Sequence, residues 1–342
     1  MTTPSLRKGW TTGACAAAAA KAALTALVEG RFPDPVTIRL PRGETPAFAL
    51  SRRLLQSGRA VAGVIKDAGD DPDVTHGAEI IAEVVPAPAG AGIIFRAGEG
   101  IGTVSLPGLP LAPGEPAINP GPRRQIADNL GPVDVVVTLS IPGGAVLAAR
   151  TLNARLGIVG GLSILGTTGV VVPYSCSAWV HSIHRGIDVA RALGLGHVVA
   201  TTGKTSEAVA RRVLAVPDQA LIDMGDMAGA VLKYLRRHPV PRLTLVGGFA
   251  KLAKLAAGNL DLHSGASRVD VAFLGELLAE LGGETVAGAT SAAQMLALAG
   301  DRPLGDMVAK RAREVALAVL SGGTEVAVIA VDRAGAVVGR SG

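Results

Sequence analysis

The densest run of chemically active side chains is Lys66-Asp67-Ala68-Gly69-Asp70-Asp71-Pro72-Asp73-Val74-Thr75-His76-Gly77-Ala78-Glu79. Carboxylates and an imidazole crowded into one segment can move a proton or steady a developing charge. Asp67 and Asp70 flank Gly69, so the chain can turn sharply there and set both carboxylates on one side. Asp67, Asp70 and His76 are the catalytic candidates on this reasoning, with Asp71 and Glu99 as further acids and Lys66 as a substrate-binding cation. The spacing fits neither an EF-hand nor H-E-x-x-H, so no metal site is expected. The alternative is a solvated acidic turn, where a substitution changes stability by under about 0.5 kcal/mol.

Glycine-rich turns form the second group. In Arg96-Ala97-Gly98-Glu99-Gly100-Ile101-Gly102 the three glycines would let a cofactor approach the backbone, and Glu99 would supply a carboxylate. A turn with no ligand explains the same pattern. Thr202-Gly203-Lys204-Thr205 looks like the end of a P-loop, but Val198 stands where that motif needs glycine. The segment reads better as a strand-to-helix turn opened by Gly203. Asp223 ends the next expected strand, where dinucleotide-binding folds place the acid that takes ribose hydroxyls. A full G-x-G-x-x-G is missing, so an ordinary βαβ unit stays open beside the cofactor reading. Gly247-Gly248-Phe249 is a further strand-to-helix turn. Cys15 reads as a small buried thiol, and His181 and His184, on one helix face without a third ligand, read as structural.

Two kinds of scaffold must position these groups. Thr11 or Thr12 caps a helix expected over 13–28. Short strands separated by turns follow over 36–40, 47–53, 61–66, 78–85 and 92–96. A Pro/Gly-rich stretch over 107–122 leads into a helix over 122–130, and 133–141 with 146–151 reads as a hairpin. From about 176 the rhythm changes. Strands over 197–201, 220–223 and 242–246 alternate with helices over 178–193, 206–213, 227–237 and 250–257. Helices over 271–281, 291–298 and 304–320 follow, and a strand over 325–331 closes the chain. Alternation of this kind argues a parallel sheet. The expected class is α/β with α+β: an α+β domain over 1–175 with a largely antiparallel sheet, and a Rossmann-like α/β domain over 176–342.

Composition narrows the function classes. The chain has 342 residues, 49% apolar and 18% charged, which excludes a disordered polymer. Two cysteines cannot build a disulfide framework or a Cys-rich zinc site. The most membrane-like stretch, over 14–28, is shorter than the ~18 apolar residues a spanning helix needs, and Lys21 interrupts it. The expectation is a soluble cytoplasmic protein with no membrane partner, and self-association stays open. The net charge of +5 comes from 25 Arg and 8 Lys, a balance suited to an anionic partner or to a compositional habit of the genome. Aromatics at 3% leave few stacking platforms, so nucleic acid is not expected.

Taken together, six ordered segments resemble the CbiD family of cobalamin biosynthesis. They are Lys8-Gly9-Trp10-Thr11-Thr12-Gly13-Ala14-Cys15-Ala16-Ala17, the loop over 66–77, Gly98-Glu99-Gly100-Ile101-Gly102, Pro116-Ala117-Ile118-Asn119-Pro120-Gly121-Pro122-Arg123, Ile164-Leu165-Gly166-Thr167-Thr168-Gly169 and Gly248-Phe249-Ala250-Lys251-Leu252. The resemblance implies methyl transfer from S-adenosylmethionine to carbon 1 of cobalt-precorrin-5B, giving cobalt-precorrin-6A. It also implies a tetrapyrrole substrate rich in carboxylates, which suits Lys66, Asn119, Arg123 and Arg124 as binding groups. Gly98, Glu99, Gly100, Gly102, Gly203 and Asp223 would then line the S-adenosylmethionine site. A non-catalytic corrinoid carrier is the competing class; it needs one pocket where the enzyme needs two.

Overall fold

Small side chains let the helix Thr12–Glu29 lie directly on a sheet. Ala14, Ala16 to Ala20, Ala22, Ala23 and Ala26 are fully buried along it. Thr11 Oγ accepts the Ala14 amide at 3.1 Å, and Gly30 at φ 75° ends the helix. The computed structural model describes residues 6–283 and 288–342. The chain divides into two units, Met1–Ser175 and Cys176–Gly342, and the whole is mixed α/β.

In the first unit the helix packs on strands Arg59–Ile65 and Glu79–Pro86 and on the helix Pro120–Leu130. The sheet order is Arg52–Gln56, Arg59–Ile65, Glu79–Pro86, Val135–Ser140, Ile93–Ala97. Every neighbouring pair is antiparallel except the last. The register stacks Ala62 beside Ala82 and Ala82 beside Leu139, so small residues again face the helix layer. The expected strand over 47–53 is two pieces, because Ala47–Phe48 pairs with Val36–Thr37 before Arg52–Gln56 joins the main sheet. The hairpin expected over 133–141 and 146–151 is overturned: residues Gly144–Ala148 form a short helix. Val135–Ser140 already has Glu79–Pro86 on one side and Ile93–Ala97 on the other, so no edge is free for a returning strand.

In the second unit the sheet order is Leu221–Asp223, His197–Thr201, Arg242–Gly248, Glu325–Val331, Val337–Ser341. The first four strands are parallel and the last is antiparallel. Strand Val337–Ser341 is an addition to the sequence reading, which closed the chain at 331. Its Gly339 lies against Gly305 of the helix Leu304–Leu320, so tertiary packing rather than strand propensity holds it there. From His197–Thr201 the chain steps outward to Leu221–Asp223, then returns to the opposite side at Arg242–Gly248. The strand order therefore reverses between His197–Thr201 and Arg242–Gly248. Outside the carboxyl ends of such a pair, open α/β sheets leave a crevice. Among the described residues no helix is long and apolar enough to cross a membrane.

Candidate active site

The N-terminal segment and the acidic loop are tied to each other through their backbones. Arg7 pairs both guanidinium nitrogens with the Asp67 carboxylate, the second at 3.0 Å. The Arg7 amide donates to Asp70 Oδ2 at 2.6 Å, and the Asp70 amide donates back to the Arg7 carbonyl at 3.0 Å. Trp10 N–H donates to the Asp67 carbonyl at 2.7 Å. Gly69 sits at φ 68° with its Cα against the Arg7 carbonyl, and Gly9 sits against Ala68, so a side chain at either position would overlap backbone. Asp71 accepts the Tyr174 amide at 2.9 Å and ties down the loop's far side.

Each titratable group of the loop has a distinct environment. Hydrogen bonds from Arg7 first, then from the Gly69 amide, lower the Asp67 carboxyl to about 2, so it is an anion at neutral pH. Lys66 is 1% exposed and its Nζ donates to Asp73 Oδ2 at 2.7 Å. Burial alone would raise Asp73, but the Lys66 ammonium and the Thr75 donors outweigh it and hold the carboxyl below its ordinary value. Ala68 N–H donates to His76 Nδ1 at 3.1 Å. That bond occupies the Nδ1 lone pair, so the neutral ring carries its proton on Nε2 and presents a donor. Lys66, which the sequence offered as a substrate-binding cation, is instead buried and paired with Asp73, where it braces the loop from inside. Asp70 and His76 are exposed.

Backbone packing accounts for the glycine-rich turn. A Cβ at Gly98 would overlap Ser140 Oγ, one at Gly100 the Ile141 carbonyl, and one at Gly102 would come within 2.5 Å of Ile158. Gly144 and Gly161 both close on the Gly100 carbonyl. Glu99 is exposed and receives the Gly143 amide at 3.4 Å.

The carboxylate-binding candidates separate into two pairs. Arg123 donates to Glu115 at 2.7 Å and to the Ile118 carbonyl at 2.8 Å, and stacks over Phe95, so its guanidinium is committed within the fold. Arg124 is exposed, with no ion pair among the described residues. Asn119 caps the helix Pro120–Leu130 by position, without a side-chain cap bond, and leaves its carboxamide available. Cys15 is buried, and burial pushes its thiol up to about 12, so it is no nucleophile.

The second unit gathers another set at the carboxyl edge of its parallel sheet. Thr201 is in register with Asp223 and with Val246, which aligns the ends of the three strands. Thr202 N–H donates to the Val246 carbonyl at 3.1 Å, and Gly248 N–H donates to Thr202 Oγ at 3.2 Å. A Cβ at Gly203 or at Gly248 would meet nothing within 4 Å, so space lies beside both turns. Lys251 Nζ donates to the Thr202 carbonyl at 2.8 Å and lies 3.0 Å from Asp226. Asp223 receives the Gly225 amide at 3.3 Å. Among the described residues no group of His, Cys, Asp and Glu is arranged to hold a metal ion. His184 stacks on Tyr234 with ring centres 3.9 Å apart.

Arg7 is a residue the sequence did not single out. It lies 60 positions from Asp67, and no local pattern announces a pair so distant.

Comparison with known proteins gives one consistent family. The CbiD profile matches residues 1–173, and the profile of the CbiD C-terminal domain matches 261–342. The cobalt-precorrin-5B C(1)-methyltransferase of Brucella anthropi is 56% identical, covering 98% of this chain and 95% of that protein. The protein of the same name from Paramagnetospirillum magneticum is also 56% identical, covering 98% of each chain. A crystal structure of the cobalamin biosynthesis protein cbiD from Archaeoglobus fulgidus is 30% identical, covering 75% of this chain and 82% of that one, with a TM-score of 0.41. With a profile over half its length and relatives of this identity across nearly all of it, the chain belongs to the CbiD family.

Proposed function

We propose that this chain methylates carbon 1 of cobalt-precorrin-5B in cobalamin biosynthesis, with S-adenosylmethionine as the methyl donor. The observation that carries the proposal is the 56% identity over 98% of the chain to relatives bearing that activity in their names. The donor supplies a sulfonium-bound methyl group, and the conjugated ring supplies the carbon nucleophile. A C–C bond forms, the C–S bond breaks, and S-adenosylhomocysteine leaves. Little side-chain chemistry is required, so the protein's contribution is alignment, which can supply roughly 7–11 kcal/mol.

In this proposal the second unit is Rossmann-like, and its carboxyl edge holds the donor. Asp223 takes the ribose hydroxyls, while Gly203 leaves room for the nucleoside. Glycines 98, 100 and 102 shape their turn, and Glu99 is its one side chain available to a cofactor. Asn119 and the exposed Arg124 take carboxylates of the tetrapyrrole. Asp67 and Asp70, held as a pair by Arg7, set a fixed negative field, and His76 offers a hydrogen-bond donor.

The test is turnover with authentic cobalt-precorrin-5B and S-adenosylmethionine. The expected products are S-adenosylhomocysteine and a ring heavier by one methyl group. Folded protein that binds the ring and gives no mass change would instead be a corrinoid carrier.

A further inference from the structure

The chain has two tryptophans, and they live in different surroundings. Trp10 packs edge-on against Phe48 in the first unit, with centroids 5.5 Å apart. Trp179, in the first turn of the helix Cys176–Ala192, is 46% exposed. Its indole rests on Gly225, where an added Cβ would lie 3.3 Å from Nε1 and Cζ2. Gly225 is at φ 53°, and its amide is the donor that Asp223 accepts. The turn that follows Asp223 therefore has a carboxylate at its start and a large, half-exposed aromatic surface packed on it, at the end of a parallel strand and beside the open turn of Gly203. An indole offers a large flat apolar face on which another ring can stack.

We propose that Trp179 is a binding residue for the nucleoside of the methyl donor, its indole stacking on the adenine while Asp223 takes the ribose. This rests on the placement of the donor at Gly203 and Asp223 argued above. The purine is joined directly to the ribose, so an acid that grips the sugar places the base within a few ångströms. Gly225 makes the arrangement achievable, because any larger residue would press the indole off the acidic turn. Base–aromatic stacking tolerates substitution of one ring for another, so phenylalanine should serve where alanine does not.

The experiment uses the full chain carrying Trp10→Phe, which leaves Trp179 as the one tryptophan emitter. Added S-adenosylhomocysteine should quench its fluorescence saturably. 5′-Methylthioadenosine, which has the adenine, the ribose and a neutral thioether, should reach the same fractional quench. Calorimetry on otherwise wild-type protein should show Trp179→Ala weakening S-adenosylhomocysteine binding by about 5- to 100-fold, with Trp179→Phe within about 3-fold of wild type. Full affinity in a folded Trp179→Ala variant overturns the inference. So does a tryptophan that responds to the charged sulfonium of S-adenosylmethionine alone, because then the indole faces the methyl group and not the base. Asp223→Ala separates the two levels of the argument. If it weakens binding while Trp179→Ala does not, only the stacking role fails; if neither weakens it, or if wild type binds no S-adenosylhomocysteine, the placement of the donor fails as well.

Discussion

Ala68 donates its backbone amide to Nδ1 of His76 at 3.1 Å, and the same ring nitrogen lies 3.8 Å from the Asp67 carboxylate. The backbone thereby sets the tautomer of the neutral ring, and the other nitrogen, Nε2, carries the proton. Proton acceptance at Nδ1 would first break the bond to Ala68. His76 is built to donate.

A long-range proton–nitrogen correlation spectrum of labelled protein at neutral pH should show His76 protonated on Nε2 and bare on Nδ1. The opposite tautomer would refute the donor role. Turnover of His76→Ala should fall by about 10- to 100-fold, the value of one hydrogen bond to a charged group, with folding intact.

The Arg7–Asp67 pair gives a pH dependence of defined sign. The folded carboxyl is lowered from 3.8 to about 2, so its contribution is present above the ordinary value and is lost as pH falls through about 2. Both side chains are well exposed, so solvent screens the pair and its contribution is small. Melting temperatures of wild type and Arg7→Ala should differ at pH 7 and converge toward pH 2. A gap that persists unchanged at low pH would show that Arg7 acts through packing alone.

The buried Lys66 ammonium is paired with the part-exposed Asp73 carboxylate, and the two should respond as one unit. Asp73→Asn leaves an ammonium buried without its counter-charge, an expected loss of about 3–5 kcal/mol in urea unfolding. Lys66→Met with Asp73→Leu removes both charges and should recover much of that loss. If the double variant is no better than the single, the carboxylate's work lies in its bonds to Thr75 instead.

Glycines that look alike in the sequence should respond differently to alanine. Gly77 at φ 77° faces open space, so Gly77→Ala should cost roughly 1–2 kcal/mol from backbone strain. Gly100 at φ 73° lies on the Ile141 carbonyl, so Gly100→Ala must add displacement of the backbone to the same strain. Chemical denaturation of the two variants measures the difference, and equal losses would remove the packing account of the turn.

The sequence made local order legible and distant partners illegible. Strands His197–Thr201 and Glu325–Val331 and the helix Leu304–Leu320 fall on their expected residues, because apolar period and turn chemistry are local signals. The false hairpin after Ser140 looked as good locally. What removed it was occupancy of both edges of Val135–Ser140 by strands from elsewhere in the chain. The acidic loop was legible as a cluster, but not the work of its members. Nothing near Lys66 in sequence says that its ammonium is buried, and nothing near Asp67 points to Arg7. The glycines at 98, 100 and 102 announce close approach without saying of what; here it is the chain's own carbonyls and side chains.

The alanine-lined helix Thr12–Glu29 has almost no volume to give up, since its buried face is already close to the smallest a side chain can be. Damage there comes from gaining atoms. Most single-base changes at an alanine codon add atoms, and overpacking a filled core costs typically 1–3 kcal/mol. Tolerance along this helix is thus one-sided: a larger residue requires the facing strands at Ala62 and Ala82 to change with it.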